Sequence, residues 1–186
     1  MRSKLPGDQA SIFAEMTALA VKHDALNLSQ GFPGFSPDPV LIDLVNQAML
    51  DGHNQYAPPA GNLRLREKIS ELVANLRGKI YDPEHEINIT VGASEALYVA
   101  ITAFVHPGDE VILLKPAFDS YEPTVKLQGA TPVTVQLEAP YLKIDWNAVA
   151  NAITSKTRMI IINNPHNPSG MVFKDSDLKQ LETLLL

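Results

Sequence analysis

Cysteine is absent from the sequence, which excludes disulfides, thiolate metal sites and a thiol nucleophile and suits a reducing compartment. Clusters of lysine and arginine are also lacking, and the net charge of −6 argues against a nucleic-acid partner. The five histidines are scattered without the spacing of metal ligands, so no metal is expected. No apolar run approaches the length of a membrane span, and no signal-like apolar segment follows Arg2 and Lys4. These absences predict a soluble cytoplasmic protein without a membrane partner.

The 186 residues, 45% of them hydrophobic, suffice for one domain with a core and are too few for two full domains. Apolar residues at helical spacing predict helices over residues 8–23, 38–52, 65–76, 94–105, a short segment ending near 128, 145–153 and 175–186. Short apolar and β-branched runs predict four strands, at 87–91, 110–115, 131–137 and 159–162. The alternating order predicts an α/β fold of three layers, α/β/α, with a mostly parallel sheet.

Two segments carry the clearest apolar patterns. In the predicted helix 65–76, the positions expected to be buried are Leu65, Ile69, Leu72, Val73 and Leu76, and those expected on the outer face are Arg66, Lys68 and Glu71. The run Met159–Ile162 is apolar on both faces, as expected of a central parallel strand covered by helices.

A small-residue turn, Gly92-Ala93-Ser94, joins the predicted strand 87–91 directly to the next helix. Free backbone N–H groups and the positive end of the helix dipole meet at such a turn, which favours phosphate binding. Ser94 alone could equally be a helix cap. The glycines fit neither the dinucleotide fingerprint nor the P-loop, so those ligands are not indicated.

Two further loops follow predicted strands. Phe118 leaves the strand 110–115 and could form the wall of a flat ligand pocket, although a core position is the commoner fate of phenylalanine. Two Asn-Pro dipeptides follow the strand 159–162, and their prolines hold Asn164 and Asn167 in defined directions. A single Asn-Pro would merely end a strand. Because the ends of parallel strands share one edge, all three weak signals predict one crevice.

These motifs together resemble the N-terminal half of the class I/II aminotransferases, which are fold-type I pyridoxal-phosphate enzymes. The resemblance covers essentially the whole chain, and its motifs are residues 27–33, 54–56, 90–97, 115–121 and 163–170. The Gln-Gly-Phe-Pro and Phe-Asp-Ser-Tyr-Glu-Pro segments are similar to the methionine, glutamine and kynurenine aminotransferase branch. The resemblance implies that residues 1–50 form an N-terminal arm with helices of the small-domain and interface region. It implies that residues 51–186 form the N-terminal part of the pyridoxal-phosphate-binding large domain.

The resemblance also implies roles for individual residues. Gly92, Ala93 and Ser94 would bind the phosphate of pyridoxal 5'-phosphate, Phe118 would stack on its ring, and Asn167 would donate to its phenolic oxygen.

Three more residues are implied around that cofactor. Asn163 would lie near the cofactor and the substrate carboxylate, and Gly31 would offer backbone to that carboxylate. Tyr56 would reach the phosphate of the neighbouring subunit, because the family builds its sites across a homodimer interface.

The lysine that forms the Schiff base is missing from this pattern. In the family it follows the point where this sequence ends, and Lys156, the nearest match by composition, fits a solvated charge better. We therefore expect a fragment without a catalytic residue of its own, inactive alone, whose last strand leaves an unpaired sheet edge.

The expected activity of the parent protein is the transfer of an amino group to a 2-oxo acid from methionine, glutamine or an aromatic amino acid. A C–S lyase of the same fold remains an alternative, as does a noncatalytic ligand-binding or dimerising domain.

Overall fold

The computed structural model describes residues 3–5, 11–31 and 33–186. Two compact units divide the chain: one lies within Ala10–Val91, and the other contains Gly92–Leu186. The described residues form seven helices and three strands. In chain order these are α1 (Ile12–Lys22), α2 (Pro39–Leu50), α3 (Leu63–Arg77), α4 (Gly92–Phe104), β1 (Glu110–Lys115), α5 (Tyr121–Leu127), β2 (Thr131–Gln136), α6 (Trp146–Ala152), β3 (Thr157–Ile161) and α7 (Asp175–Leu185).

The three helices of the first unit begin at side-chain caps. Ser11, Asp38 and Asn62 each accept a hydrogen bond from a backbone N–H in the first turn of α1, α2 and α3, which satisfies a donor that lacks an intrahelical partner. Gly78 ends α3 in the left-handed conformation with φ of 68°. All three helices confirm the sequence prediction, although residues 8–10 of the first lie outside the described residues.

The predicted orientation of α3 is wrong in part, although Ile69 and Val73 are half-buried and Lys68 and Glu71 are exposed as expected. Arg66 is buried at 7% exposure, whereas Leu65 and Leu72 are exposed. The buried Arg66 side chain meets backbone carbonyls: Nη1 donates to Pro83 O at 2.6 Å and Nε donates to Gly61 O at 3.2 Å. A carbonyl away from water needs a donor, and the arginine supplies it.

The predicted strand 87–91 is also wrong, since the structure has no strand at these described residues. Ile89 N–H donates to Ala60 O at 3.0 Å, so the segment runs beside a loop. Gly61 permits this approach, because its φ is 93° and the Ile89 side chain fills the space where a Cβ would lie. A β-branched sequence becomes a strand only where its backbone meets another strand.

The second unit is built on a parallel three-stranded sheet of order β2-β1-β3. The fold class predicted from the sequence, a three-layer α/β/α arrangement with a parallel sheet, is confirmed. The centre of the sheet is nevertheless β1, whose four middle residues are buried, and not β3. Among the described residues β3 pairs on one side only, which makes it an edge strand.

Alternate residues of β1 face two separate cores. We call the core around Val111 and Leu113 the α4/α5 core, because it also contains Ile101, Val105, Tyr121, Val125 and Ala130. We call the core around Ile112 and Leu114 the α6/α7 core, because it contains Trp146, Val149 and Leu181, together with Val135, Leu137 and Phe173. The period of two along β1 therefore places helices on both faces of the sheet. No helix among the described residues is both long enough and apolar enough to cross a membrane.

Candidate functional site

The N-terminus of α4 lies toward the carboxyl ends of the strands. The C-terminus of α4 is held near their amino ends, because Arg158 Nε, near the start of β3, donates to Phe104 O at 2.9 Å. Thirteen residues of helix and six of strand both span about 20 Å. The first turn of α4 therefore lies level with the end of β1.

The local conformation of that first turn favours an anion. Gly92 has φ of 81°, and a Cβ placed on it would meet no atom within 4 Å. Ala93 and Ser94 follow in the same exposed turn. The first N–H groups of a helix have no intrahelical acceptor, and the dipole adds partial positive charge there. A phosphate is the natural ligand of such a turn.

Phe118 lies beyond β1, half-buried in the loop that leads to α5. Its ring meets the buried ring of Tyr121 edge-on, with centroids 5.8 Å apart. Phe118 packs against the α4/α5 core, as do Leu97 from the second turn of α4 and Ile161 from the end of β3. Phe118, the second turn of α4 and the end of β3 therefore contact one core.

A charged cluster closes the loop that carries Phe118. The Glu122 carboxylate accepts hydrogen bonds from Lys115 Nζ at the end of β1 and from Lys126 Nζ, the latter at 2.8 Å. These two hydrogen bonds hold the pKa of Glu122 below its ordinary value. Strand β1 and helix α5 are thus joined across the base of the loop.

We expect Glu122→Gln to lower the stability of the protein at pH 7 by less than about 1 kcal/mol, since the pair is partly solvated. A carboxyl whose pKa is lowered by folding stabilises the fold above its unfolded-state pKa, near 4.5, and loses that contribution as the pH falls through the lower folded value. Urea unfolding at several pH values should show the two proteins converging below that range. Glu71→Gln, in the more exposed pair with Lys68, is the matched control. If the difference in the free energy of unfolding between the two proteins stays the same at low pH, the ionised Glu122 carboxylate is not its cause.

The loop after β3 is held by its own side chains. Asn163 Oδ1 accepts from the Asn167 N–H at 2.7 Å, and Asn164 Oδ1 accepts from the Phe173 N–H at 3.0 Å. Gly170 N–H donates to His166 O at 2.7 Å. Asn167 itself is exposed, and its backbone is fixed through Asn163. The loop is therefore a rigid support for the Asn167 amide.

Sequence reasoning missed His166, which is 4% exposed within this loop. Nδ1 of its ring lies 2.7 Å from Ser169 Oγ. Burial lowers the pKa of His166 below its ordinary value, and a hydrogen bond with the Leu114 backbone partly offsets this. A histidine bracketed by two Asn-Pro dipeptides is the signal that could have drawn attention to it.

Two candidate residues belong to the other compact unit. Tyr56 is fully exposed, and a Cβ placed on Gly31 would meet no atom within 4 Å. Their roles, which depend on the substrate and on a second subunit, stay predictions.

The remaining candidates have the chemistry of a site for a phosphorylated aromatic ring. The helix terminus at Gly92–Ser94 suits the phosphate, Phe118 offers an aromatic side chain, and the Asn167 amide offers a hydrogen-bond donor. These residue types suit pyridoxal 5'-phosphate in charge and hydrogen bonding, and their roles stay predictions.

Comparisons with known proteins assign the family. Residues 23–185 match the family model for aminotransferase class I and II. The methionine aminotransferase of Escherichia coli is 43% identical over 180 residues, which are 97% of this chain and 47% of that protein. A probable N-succinyldiaminopimelate aminotransferase of Mycobacterium tuberculosis is 42% identical, over 95% of this chain and 45% of its own length. The crystal structure of Escherichia coli YbdL, identified as a methionine aminotransferase, superposes with a TM-score of 0.94 at 42% identity, over 100% of this chain and 48% of that one.

The chain therefore belongs to the class I and II aminotransferases, whose members related to it depend on pyridoxal phosphate. Within the family it lies near the methionine and kynurenine aminotransferases, since a kynurenine–oxoglutarate transaminase of Dictyostelium discoideum is 36% identical over 92% of this chain. The chain spans about half the length of these relatives.

Proposed function

We propose that this chain is the N-terminal half of a pyridoxal-phosphate-dependent aminotransferase that transfers an amino group from an amino acid to a 2-oxo acid. The observation that supports the proposal is that Phe118, Leu97 of α4 and Ile161 at the end of β3 pack against one core, in a chain of this family. Residues 51–186 would contribute to the cofactor-binding large domain, and residues 1–50 to the arm and small-domain region.

The residues of the second unit would divide the binding of the cofactor among them. Backbone N–H groups of Gly92, Ala93 and Ser94 hold the phosphate, with the Ser94 hydroxyl as a further donor. Phe118 covers one face of the ring and excludes water from it. Asn167 donates to the phenolic oxygen. When bound, pyridoxal phosphate supplies the electron sink that amino-group exchange requires.

Asn163 would serve the substrate as well as the loop. Its Oδ1 is occupied by the Asn167 N–H, so the amide nitrogen is the atom free to point toward the cofactor and a substrate carboxylate. Gly31 would offer its backbone to that carboxylate. Tyr56, fully exposed, would reach the phosphate of a neighbouring subunit in a cytoplasmic homodimer.

The chain alone would lack activity. No lysine of the sequence lies in the context typical of the Schiff-base residue, so the proton transfers of the reaction have no base here. The amino donor would be methionine, glutamine or an aromatic amino acid, and the similarity to a methionine aminotransferase and a kynurenine–oxoglutarate transaminase supports this.

The test uses the protein expressed from its complete coding sequence, called the complete protein below. With methionine and a 2-oxo acid, we expect the keto acid and the new amino acid in equal amounts, and with cystathionine no release of a thiol. The 186-residue chain should be inactive in the same assay. Thiol release without amino transfer would replace the proposal by a C–S lyase, and binding of the cofactor without turnover would replace it by a noncatalytic ligand-binding domain.

A further inference from the structure

Lys115, the last residue of β1, has a firmly held backbone. Its carbonyl oxygen accepts hydrogen bonds from the Leu137 N–H at 2.8 Å and from Gln136 Nε2 at 3.0 Å. Alternate residues of a strand share a face, so Lys115 lies on the same face of the sheet as Leu113. That face carries the α4/α5 core. The Lys115 side chain therefore extends from a fixed backbone on the face that α5 covers.

The loop that carries Phe118 is bonded to the start of α5. Tyr121 N–H donates to Phe118 O at 3.3 Å, and Thr124 Oγ1 donates to Ser120 O at 2.7 Å. The rings of Phe118 and Tyr121 meet edge-on, so the backbone and the side chain of Phe118 are both tied to the helix. The place of the Phe118 ring therefore depends on the position of α5 relative to β1.

Two kinds of contact hold α5 against β1. The apolar residues of α5 pack in the α4/α5 core, and such packing has no preferred direction. The Glu122 carboxylate of α5 accepts a hydrogen bond from Lys115 Nζ, and a charge-assisted hydrogen bond has a defined length and direction. Lys126 pairs with the same carboxylate at 2.8 Å, but from within α5. Of these contacts, the bond from Lys115 is the one that fixes the start of α5 at the end of β1.

We propose that Lys115 and Glu122 are positioning residues, whose hydrogen bond across the loop sets the place of the Phe118 ring for the flat ligand that this ring covers. Their effect on the ligand passes through Phe118. The part that concerns the cofactor rests on the proposed function, whereas the attachment of α5 to β1 does not.

Substitutions in the complete protein isolate this hydrogen bond. Lys115→Met removes the donor at the end of β1 and keeps much of the side-chain length. A charge swap, Lys115→Glu combined with Glu122→Lys, exchanges the two partners and restores an ion pair. Lys126→Met is the matched control, because it removes a lysine from the same carboxylate and leaves the connection to β1 in place. Phe118→Leu, alone and combined with Lys115→Met, tests whether the bond acts through the ring.

Two measurements are made on each cofactor-free protein. Hydrogen exchange of residues 117–124 reports on the loop, and titrations with pyridoxamine 5'-phosphate and with inorganic phosphate report on the site. We expect Lys115→Met to speed the exchange and to weaken binding of pyridoxamine 5'-phosphate about three- to tenfold, the size of one aromatic contact. Inorganic phosphate, held at α4, should bind as before.

The other variants define the origin of this loss. The charge swap and Lys126→Met should stay close to the unsubstituted protein in both measurements. In the Phe118→Leu protein, adding Lys115→Met should cause no further loss of affinity, because the ring that the bond positions is already gone.

The proposal is overturned if Lys115→Met leaves the exchange of this segment unchanged, or if Lys126→Met or the charge swap behaves like Lys115→Met. Equal weakening of both ligands would also overturn it, because a merely structural lysine would affect the site at α4 as much as the ring. A further loss in the Phe118→Leu protein would mean that the bond does not act through Phe118. Faster exchange after Lys115→Met, in a complete protein that never binds pyridoxamine 5'-phosphate, would support the attachment of α5 to β1 and contradict the proposed function instead.

Discussion

Ser94→Asp in the complete protein is expected to weaken binding of pyridoxamine 5'-phosphate by about 10²- to 10³-fold. A carboxylate about 4 Å from a phosphate opposes it by about 4 kcal/mol at the effective dielectric constant of a protein surface. The same carboxylate lies in the first turn of α4, where the helix dipole favours it by about 0.3–1 kcal/mol. The substitution should therefore weaken binding of the anion strongly while the helix keeps or gains stability.

Isothermal titration and thermal unfolding measure the two effects separately. Ser94→Asp should bind unphosphorylated pyridoxamine with little loss of affinity. Ser155→Asp, which adds the same charge in an exposed turn before β3, should leave the affinity for both ligands unchanged. Equal losses of affinity for pyridoxamine and for pyridoxamine 5'-phosphate would mean that the phosphate does not bind at the first turn of α4. A fall in the unfolding temperature would mean that the loss of binding comes from damage to the fold.

Arg66→Met is expected to destabilise the unit within Ala10–Val91 by about 2–4 kcal/mol. The substitution keeps much of the side-chain volume and removes the donors to Pro83 O and Gly61 O. Hydrogen bonds from a charged group contribute about 1.5–3 kcal/mol each, and acceptors left buried without a donor add the cost of their lost hydration. The effect is large because one guanidinium serves two separate stretches of backbone.

Arg64→Met is the control, since Arg64 is an exposed arginine near the start of α3. This substitution should change the free energy of unfolding by less than about 0.5 kcal/mol. Arg66→Lys should fall between them, since a lysine reaches one carbonyl at a time. Urea denaturation followed by hydrogen exchange within residues 61–91 gives the comparison. Equal effects of the two methionine substitutions would show that the buried hydrogen bonds contribute nothing.

Local signals predicted much of the fold, because caps and apolar spacing act within a few residues. Asp38 before Pro39 was sufficient to begin α2, and apolar spacing from Leu65 was sufficient for most of α3. The alternation of strands and helices after Gly92 was sufficient for a parallel sheet.

The sequence did not show which elements distant along the chain contact one another. The run 159–162 reads as a strand buried on both faces, but its residues do not show which strand lies beside it. The spacing of leucines in α3 shows an amphipathic helix without showing what each face contacts, so the buried Arg66 was assigned to the surface. A side chain can be recognised as a donor only when the carbonyl that needs it is known.

The candidate site was predicted by residue type, and the roles of its residues stay predictions. Gly92–Ser94, Phe118 and Asn167 follow from turn chemistry at the ends of strands, and the resemblance to a family supplied their roles. His166 did not follow, because its burial and its partner Ser169 depend on how the loop folds. A loop histidine has no periodic pattern that would indicate burial.

A crystal structure of the complete protein with pyridoxal 5'-phosphate bound tests the central claim most directly. It should show the phosphate on the N–H groups of Ala93 and Ser94, the pyridine ring against Phe118, and the Asn167 amide within hydrogen-bonding distance of the phenolic oxygen. A phosphate held away from the first turn of α4, or a ring that touches neither Phe118 nor Asn167, would contradict the account.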